Sequence, residues 1–420
     1  MIAMTRTTAS FITLLATIAT PILARQANAS VLVVSPAGPY TEIASAVAVA
    51  TDGDVLLVKT GTYGAFTVND KSLTIVADVG ATPVVTGDIQ VSNLAATREF
   101  LMSGITRDGS TFAFLGLALG NNLGTIRIQD CVLRGPFTNA LSTCSSAARD
   151  GVNINRCDDV AFTHCEISGA TAPPGWNGTA DGMVVTRSRV TLNDCLVLGS
   201  YGGSADCSGS AGTGNGAAGG VGLSISSSSS VWLSGTICRG GDGGAGAFAP
   251  STHGNGNYGV YLNDSELHQL DSTLVGGLAG GPGAFDAPPL ATALGAVVVV
   301  HAGSARSLDA STVVRASTTR SFSFHGAAGD VVALYSNRTG DWSPDPIVSW
   351  VRSVASVPAA RFPRYGVVPG SGTSNVTLPV GALPPGVEAR VMQMQSVHRE
   401  LGGALFFGSP RFTVIVDPSF

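Results

Sequence analysis

The stretch Gly151-Val-Asn-Ile-Asn155, Val160-Ala-Phe-Thr-His-Cys165, Glu166-Ile-Ser-Gly169 decides the fold, because the chain then repeats it. Gly182-Met-Val-Val-Thr186 matches the first piece, Val190-Thr-Leu-Asn-Asp-Cys195 the second and Leu196-Val-Leu-Gly199 the third. Within each piece apolar and polar residues alternate, the period of a strand with one buried face. The opening piece recurs as Gly222-Leu-Ser-Ile-Ser226, Gly259-Val-Tyr-Leu-Asn263 and Gly295-Ala-Val-Val-Val299. The closing piece occurs as Cys131-Val-Leu-Arg-Gly135, Thr236-Ile-Cys-Arg-Gly240, Thr273-Leu-Val-Gly-Gly277 and Ser311-Thr-Val-Val-Arg315. Repeats roughly thirty to forty residues long cannot bury their own apolar faces, and stacking on neighbours does it for them. The expected fold is all-β: a right-handed parallel β-helix with glycine-rich excursions on one side.

On this reading Cys131, Cys165, Cys195, Thr236, Thr273 and Ser311 fill one internal column of small side chains, where free cysteine acts as a small hydrophobe. No Cys or His spacing suits a metal. Cys144 and Cys207 lie in insertions instead and are candidates for one disulfide, with Cys144–Cys157 as the rival pairing.

Composition agrees. The 420 residues include 54 glycines, 12% are charged and the net charge is -5. Glycine without a three-residue period excludes collagen and suits short strands joined by tight turns. No Lys/Arg cluster offers nucleic acid a footprint. Arg6, the apolar run Phe11 to Leu23 and Ala27-Asn28-Ala29 read as a signal peptide over 1–29, with Ser30 first in the mature chain. That run is shorter than the ~20 residues of a membrane span, and no later segment has spanning length. The expected location is secreted or cell surface, where disulfides are permitted.

The solenoid is expected over 30–325, with a β-rich cap or appendage over 326–420. At its start, Val31 to Val34 reads as a strand. Ile43, Ala46, Val47 and Ala50 lie at helical spacing, with Thr41 as candidate N-cap, so a short helix covers the first coil. Pro39-Tyr40, this helix, Asp52-Gly53-Asp54-Val55, Lys59-Thr-Gly-Thr-Tyr63 and Lys71-Ser-Leu-Thr-Ile75 together resemble the opening coils of the pectate-lyase-like right-handed β-helix superfamily. The resemblance implies the fold, extracellular deployment and, often, polysaccharide substrates. It implies no single reaction, since function lives in sites rather than folds.

The insertions, approximately 136–150, 170–181, 200–221, 241–258 and 278–294, fall at one point of the coil and should emerge along one edge. Loops on a rigid scaffold often carry recognition. Trp176 and Tyr201 are therefore candidates to stack on a sugar ring, against the plainer role of pinning their loops. Asp150 and Asp181 each precede the glycine that opens equivalent strands, so they should sit about one strand spacing apart, roughly 4.8 Å. Two such carboxylates suit acid/base catalysis, or calcium through oxygen ligands. Asp158, Asp159 and His164 follow in the same coil and complete the catalytic candidates. The plainer reading is turn structure, because Asp-Gly is a turn dipeptide.

The hydrolase and lyase signatures of the superfamily are absent, as are a nucleophile elbow, a P-loop and a dinucleotide fingerprint. Calcium is the only cofactor these residues suggest. The expected function is binding of glycans or service as an extracellular surface component. A polysaccharide lyase or glycoside hydrolase using the aspartates is the alternative, and a self-associating surface protein is a third reading.

Overall fold

The computed structural model describes residues 29–109, 116–138, 147–170, 179–203, 215–246, 252–337, 343–344, 352–353, 364–403 and 405–420. Up to His301 the strands form a three-sided parallel β-helix. The first face runs from Val31–Val34 through Val55–Val58, Leu73–Ala77 and Glu99–Ser103, and ends at Val297–His301. The second is an eight-stranded sheet from Gly61–Tyr63 to Thr273–Val275. The third runs from Phe66–Asn69 to Leu290–Thr292. Two long strands, Leu117–Gln129 and Val152–Thr163, serve the third face of one coil and continue onto the first face of the next.

The register follows the repeat. Val160 pairs with Val190 and Phe162 with Leu192, while Val152, Met183, Leu223 and Val260 align across four coils. All are buried in one continuous core. The apolar alternation of the sequence is thus converted into vertical columns that exclude water.

Two further internal columns sit at corners. In one, the amide of Cys195 donates to Thr236 Oγ1 at 3.3 Å and that of Thr236 to Ser272 Oγ at 3.2 Å. In the other, the amides of Cys157, Ser188 and Ser229 donate to the hydroxyls of Ser188, Ser229 and Ser265 at 3.0, 3.2 and 3.1 Å. A corner interrupts the backbone ladder, and a buried amide still needs an acceptor. A short hydroxyl from the next coil supplies it without filling the core. Ser272, rather than Thr273, therefore continues the column of Cys131, Cys165 and Cys195. Ser311 lies outside it, because the parallel coils end with Val297–His301 and the next strand, Ser307–Ala310, pairs antiparallel with Thr319–His325.

The helix Ile43–Val49 covers the first coil and buries Ile43, Ala46 and Val47. Its N-cap is Glu42 rather than Thr41, and the Glu42 carboxylate accepts the amide of Gly64 at 2.8 Å. Lys71 Nζ donates to the carbonyls of Val47 and Ala50, both at 2.7 Å, which satisfies the helix C-terminus.

The C-terminal strands lie along the flank of the early coils. One sheet orders Val313–Arg315, Arg411–Val416, Ala389–Arg399, Val331–Asn337 and Arg364–Val367. Its Phe412, Val414 and Val416 pack on the outward side chains Val55, Leu57, Val76 and Leu101. Val55–Val58 is consequently buried on both sides, which explains an unbroken apolar strand where a solvent-facing one would alternate.

Candidate functional site

Asp150 and Asp181 stand at the start of the third face, where the insertions rejoin the coil. Asp150 Oδ1 accepts the amide of Asp181 at 2.9 Å, and Asp181 Oδ1 accepts the amide of Val221 at 2.9 Å. Each carboxylate thus braces its coil to the next. Burial raises the pKa of Asp150 even though the Asp181 amide and Arg149 oppose it. Asp181 is pushed up to about 6 by burial, with the charge of Asp150 adding to the rise and the Val221 amide opposing it. The pair therefore contains an acid that gives up its proton near pH 6 rather than near 4, an upward shift that catalytic carboxyls share. Two carboxylates are far fewer than the roughly six to eight oxygens that calcium takes. Among the described residues, no group of three or more His, Cys, Asp or Glu is gathered to hold a metal ion.

The other candidates are near in sequence but occupy different corners. Asp158 and Asp159 lie between the third face of one coil and the first face of the next. Asp159 is tied to Arg127 at 2.7 Å, and the Asp158 carbonyl accepts Arg189 Nε at 2.8 Å. His164 sits at the corner between the first and second faces, in the left-handed region with φ 52. The structure brings Asp150 and Asp181 together and joins none of the other three to them. A chain that turns through three corners per coil sends residues a few positions apart to separate edges.

His164 instead belongs to a charged cluster that the sequence did not reveal. Asp130, His164 and Asp194 occupy equivalent left-handed positions in successive coils. From the C-terminal region, Asp309 Oδ1 lies 3.1 Å from His164 Nδ1, and Asp309 Oδ2 lies 3.0 Å from His325 Nε2. Arg411 forks onto both oxygens of Asp130 at 2.8 Å. Asp194 reaches His164 Nε2 at 3.6 Å. Burial works against ionisation of His164, but the bond to Asp194 and the charge of Asp309 outweigh it and Arg411, so its pKa is raised. The available signal was the spacing of Asp130, His164 and Asp194 at one repeat position. Their partners come from residues more than a hundred positions away.

The described parts of the glycine-rich insertions form a hydrogen-bonded lattice. Outgoing and returning limbs of consecutive coils alternate, and an unbroken chain of amide-to-carbonyl bonds crosses them. Ala287 donates to Gly277, Gly277 to Asn257, Asn257 to Gly241, Gly241 to Gly220, Gly220 to Ser200 and Ser200 to Ala180, at 2.7–3.0 Å. A parallel row joins Gly280, Gly254, Gly244, Ala217 and Gly203. The limbs lie so close that a β-carbon on Gly241 would stand 1.7 Å from the Ser200 carbonyl oxygen. Glycine is required here for close approach of backbones, as at the crowded axis of collagen. Tyr201 stands at the root of this array and is 52% exposed. Trp176, Cys144 and Cys207 lie outside the described residues. Cys157, the rival partner of Cys144, is a free thiol buried in the core.

An aromatic stack, Trp232 on His268 with centroids 3.9 Å apart and His301 beside them, lies outward on the first face. Its rings face one another along the solenoid axis, so it braces coils as the aspartates do. No family model, no curated protein and no solved structure matches the chain.

Proposed function

We propose that this chain is an exported β-helix of the pectate-lyase-like kind that binds glycans or builds part of an extracellular surface. The glycine lattice carries this reading. It projects from one edge of the solenoid and fixes the described limbs of successive insertions, so these limbs form a pre-ordered row. Pre-ordering lowers the entropy lost on binding an extended chain molecule. Tyr201 offers one exposed ring beside that row.

The test is retention of the purified protein on an array of acidic and neutral glycans, repeated with Tyr201→Ala and Gly241→Val. Retention that both substitutions weaken is the expected result. No retention on any glycan, together with absence of the protein from culture medium and cell surface, would sink the proposal.

A second reading, a polysaccharide lyase or glycoside hydrolase, is favoured by the elevated pKa of Asp181 next to Asp150. Incubation with polysaccharides, with and without calcium, would release unsaturated products or reducing ends. That activity should vanish in Asp150→Asn and Asp181→Asn.

Self-association is favoured by the far end of the solenoid. Val298 and Val300 continue columns that are sealed in earlier coils, yet they are 36% and 70% exposed. The helix covers the opposite end, so a second copy would stack head to head around a two-fold axis. Sedimentation of wild type against Val300→Lys checks this, with a dimer that the substitution dissociates as the expected outcome.

A further inference from the structure

The C-terminal sheets form a groove of about 290 Å³, whose lining includes neither the Asp150 and Asp181 pair nor any residue of the glycine lattice. Phe322, Leu334, Leu378, Met392, Met394 and Ile415 line it, and the turn from Pro379 to Leu383 borders it. Its charged lining residues are Arg320 and Arg390, with no acid among them. This is a positive apolar groove on a chain whose net charge is -5.

Arg320 is 5% exposed. Its guanidinium lies over the Phe322 ring, 4.5 Å from the centroid. Nη1 meets Met394 Sδ at 3.1 Å, and Nη2 donates to Thr413 Oγ1. Nε has no hydrogen-bond partner among the described residues. Three other buried arginines find acids: Arg306 has Asp330 and Glu400, Arg127 has Asp159, and Arg411 has Asp130, while Arg107 donates to the carbonyls of Gly87 and Arg134 with the charges of Asp88 and Asp108 nearby. Arg320 has no carboxylate partner among the described residues. Burial, with the nearby charge of Arg411, lowers its pKa to about 9, which leaves it protonated at neutral pH. A buried cation without a counter-ion is costly, and the open space beside it is where an anion would remove that cost.

We propose that this groove binds a small amphipathic carboxylate, with the head group on Arg320 and the aliphatic body on Phe322, Met392 and Met394. The volume lies at the low end of ligand pockets, which run from roughly 300 to 1,000 Å³, so the ligand is small. The planar guanidinium matches a carboxylate. The apolar walls disfavour a dianionic phosphate, which would have to shed far more water. Methionines adapt to an unbranched chain. Arg390 adds positive charge that draws the anion in.

Titration calorimetry on the full chain tests this with decanoate, decanol and decyltrimethylammonium, which share one tail and differ in charge. Decanoate should bind about tenfold or more tighter than decanol, a difference of about 1.4 kcal/mol, and the cation should not bind. Arg320→Met should abolish the preference for decanoate. Ala382→Trp, on the exposed bordering turn, should block the groove and remove decanoate binding even if Arg320→Met does not fold. Equal binding of decanoate and decanol, no decanoate binding at all, or unchanged binding in Ala382→Trp each overturns the proposal.

Discussion

The carboxylate of Asp181 accepts the backbone amide of Val221, one coil further along, at 2.9 Å. Asp150 makes the same contact to Asp181. The aspartates are therefore braces first, whatever chemistry they also perform. Because the folded state holds the Asp181 proton up to about pH 6, this residue's contribution to stability falls as pH rises from near 4 through 6. Asp181→Asn keeps the acceptor and removes the buried charge. It should unfold at a higher urea midpoint than wild type at pH 8 and at a similar one at pH 4.5. Asp181→Ala removes the acceptor and should cost on the order of 1–3 kcal/mol at both values.

His164 links the solenoid to the C-terminal region through Asp309, with Asp130, Asp194 and Arg411 around it. Its raised pKa sets the sign. The stabilisation is fully present below the unfolded histidine value of about 6.5. It is lost as pH rises through the higher folded value. Asp181 slopes the same way, so the comparison must be with His164→Gln. Denaturation midpoints from pH 5.5 to 8.5 should fall more steeply for wild type than for the variant. Parallel curves would show that the imidazole carries no such link.

The glycine lattice makes a sharper steric prediction. A β-carbon on Gly241 would overlap the Ser200 carbonyl, whereas one on Gly120 meets nothing within 4 Å. Gly241→Ala should lose roughly 2–3 kcal/mol and open the insertions to protease. Gly120→Ala, in a strand with ordinary backbone angles, should stay within about 0.5 kcal/mol of wild type. Equal behaviour of the two would mean that the limbs do not pack as described.

The hydroxyl ladder can be broken at one rung. Ser229 Oγ accepts the amide of Ser188 at 3.2 Å and donates to the Ser226 carbonyl at 2.6 Å. Ser229→Ala strands a buried amide, which costs about 1–3 kcal/mol. Ser229→Cys should lose less, since Cys157 fills the equivalent place in another coil. Chemical denaturation of both variants against wild type measures the difference.

Short-range pattern determined the solenoid. The alternation of Val152 and Ile154, its recurrence at Leu223 and Ile225, and the small residues at Cys165 and Cys195 mark which side chains point inward, whereas Gly182-Met-Val-Val-Thr186 reads as turning Val184 inward and the structure buries Met183 and Val185 instead. Coil-to-coil register then follows, because a one-residue slip would turn every apolar side chain outward. Asp150 and Asp181 were legible as neighbours for the same reason. What only the tertiary structure decided are contacts with no period to reveal them. Arg411 meets Asp130 and Asp309 meets His164 because the C-terminal strands fold back along the coils, and Arg320 is buried among those strands with no acid partner among the described residues. The termination of the coils at His301 belongs here too, since Ser311-Thr-Val-Val-Arg315 imitates the closing pattern locally while its strand pairs with Arg411–Val416. Pairing depends on which edge is within reach, and reach is a property of the folded chain.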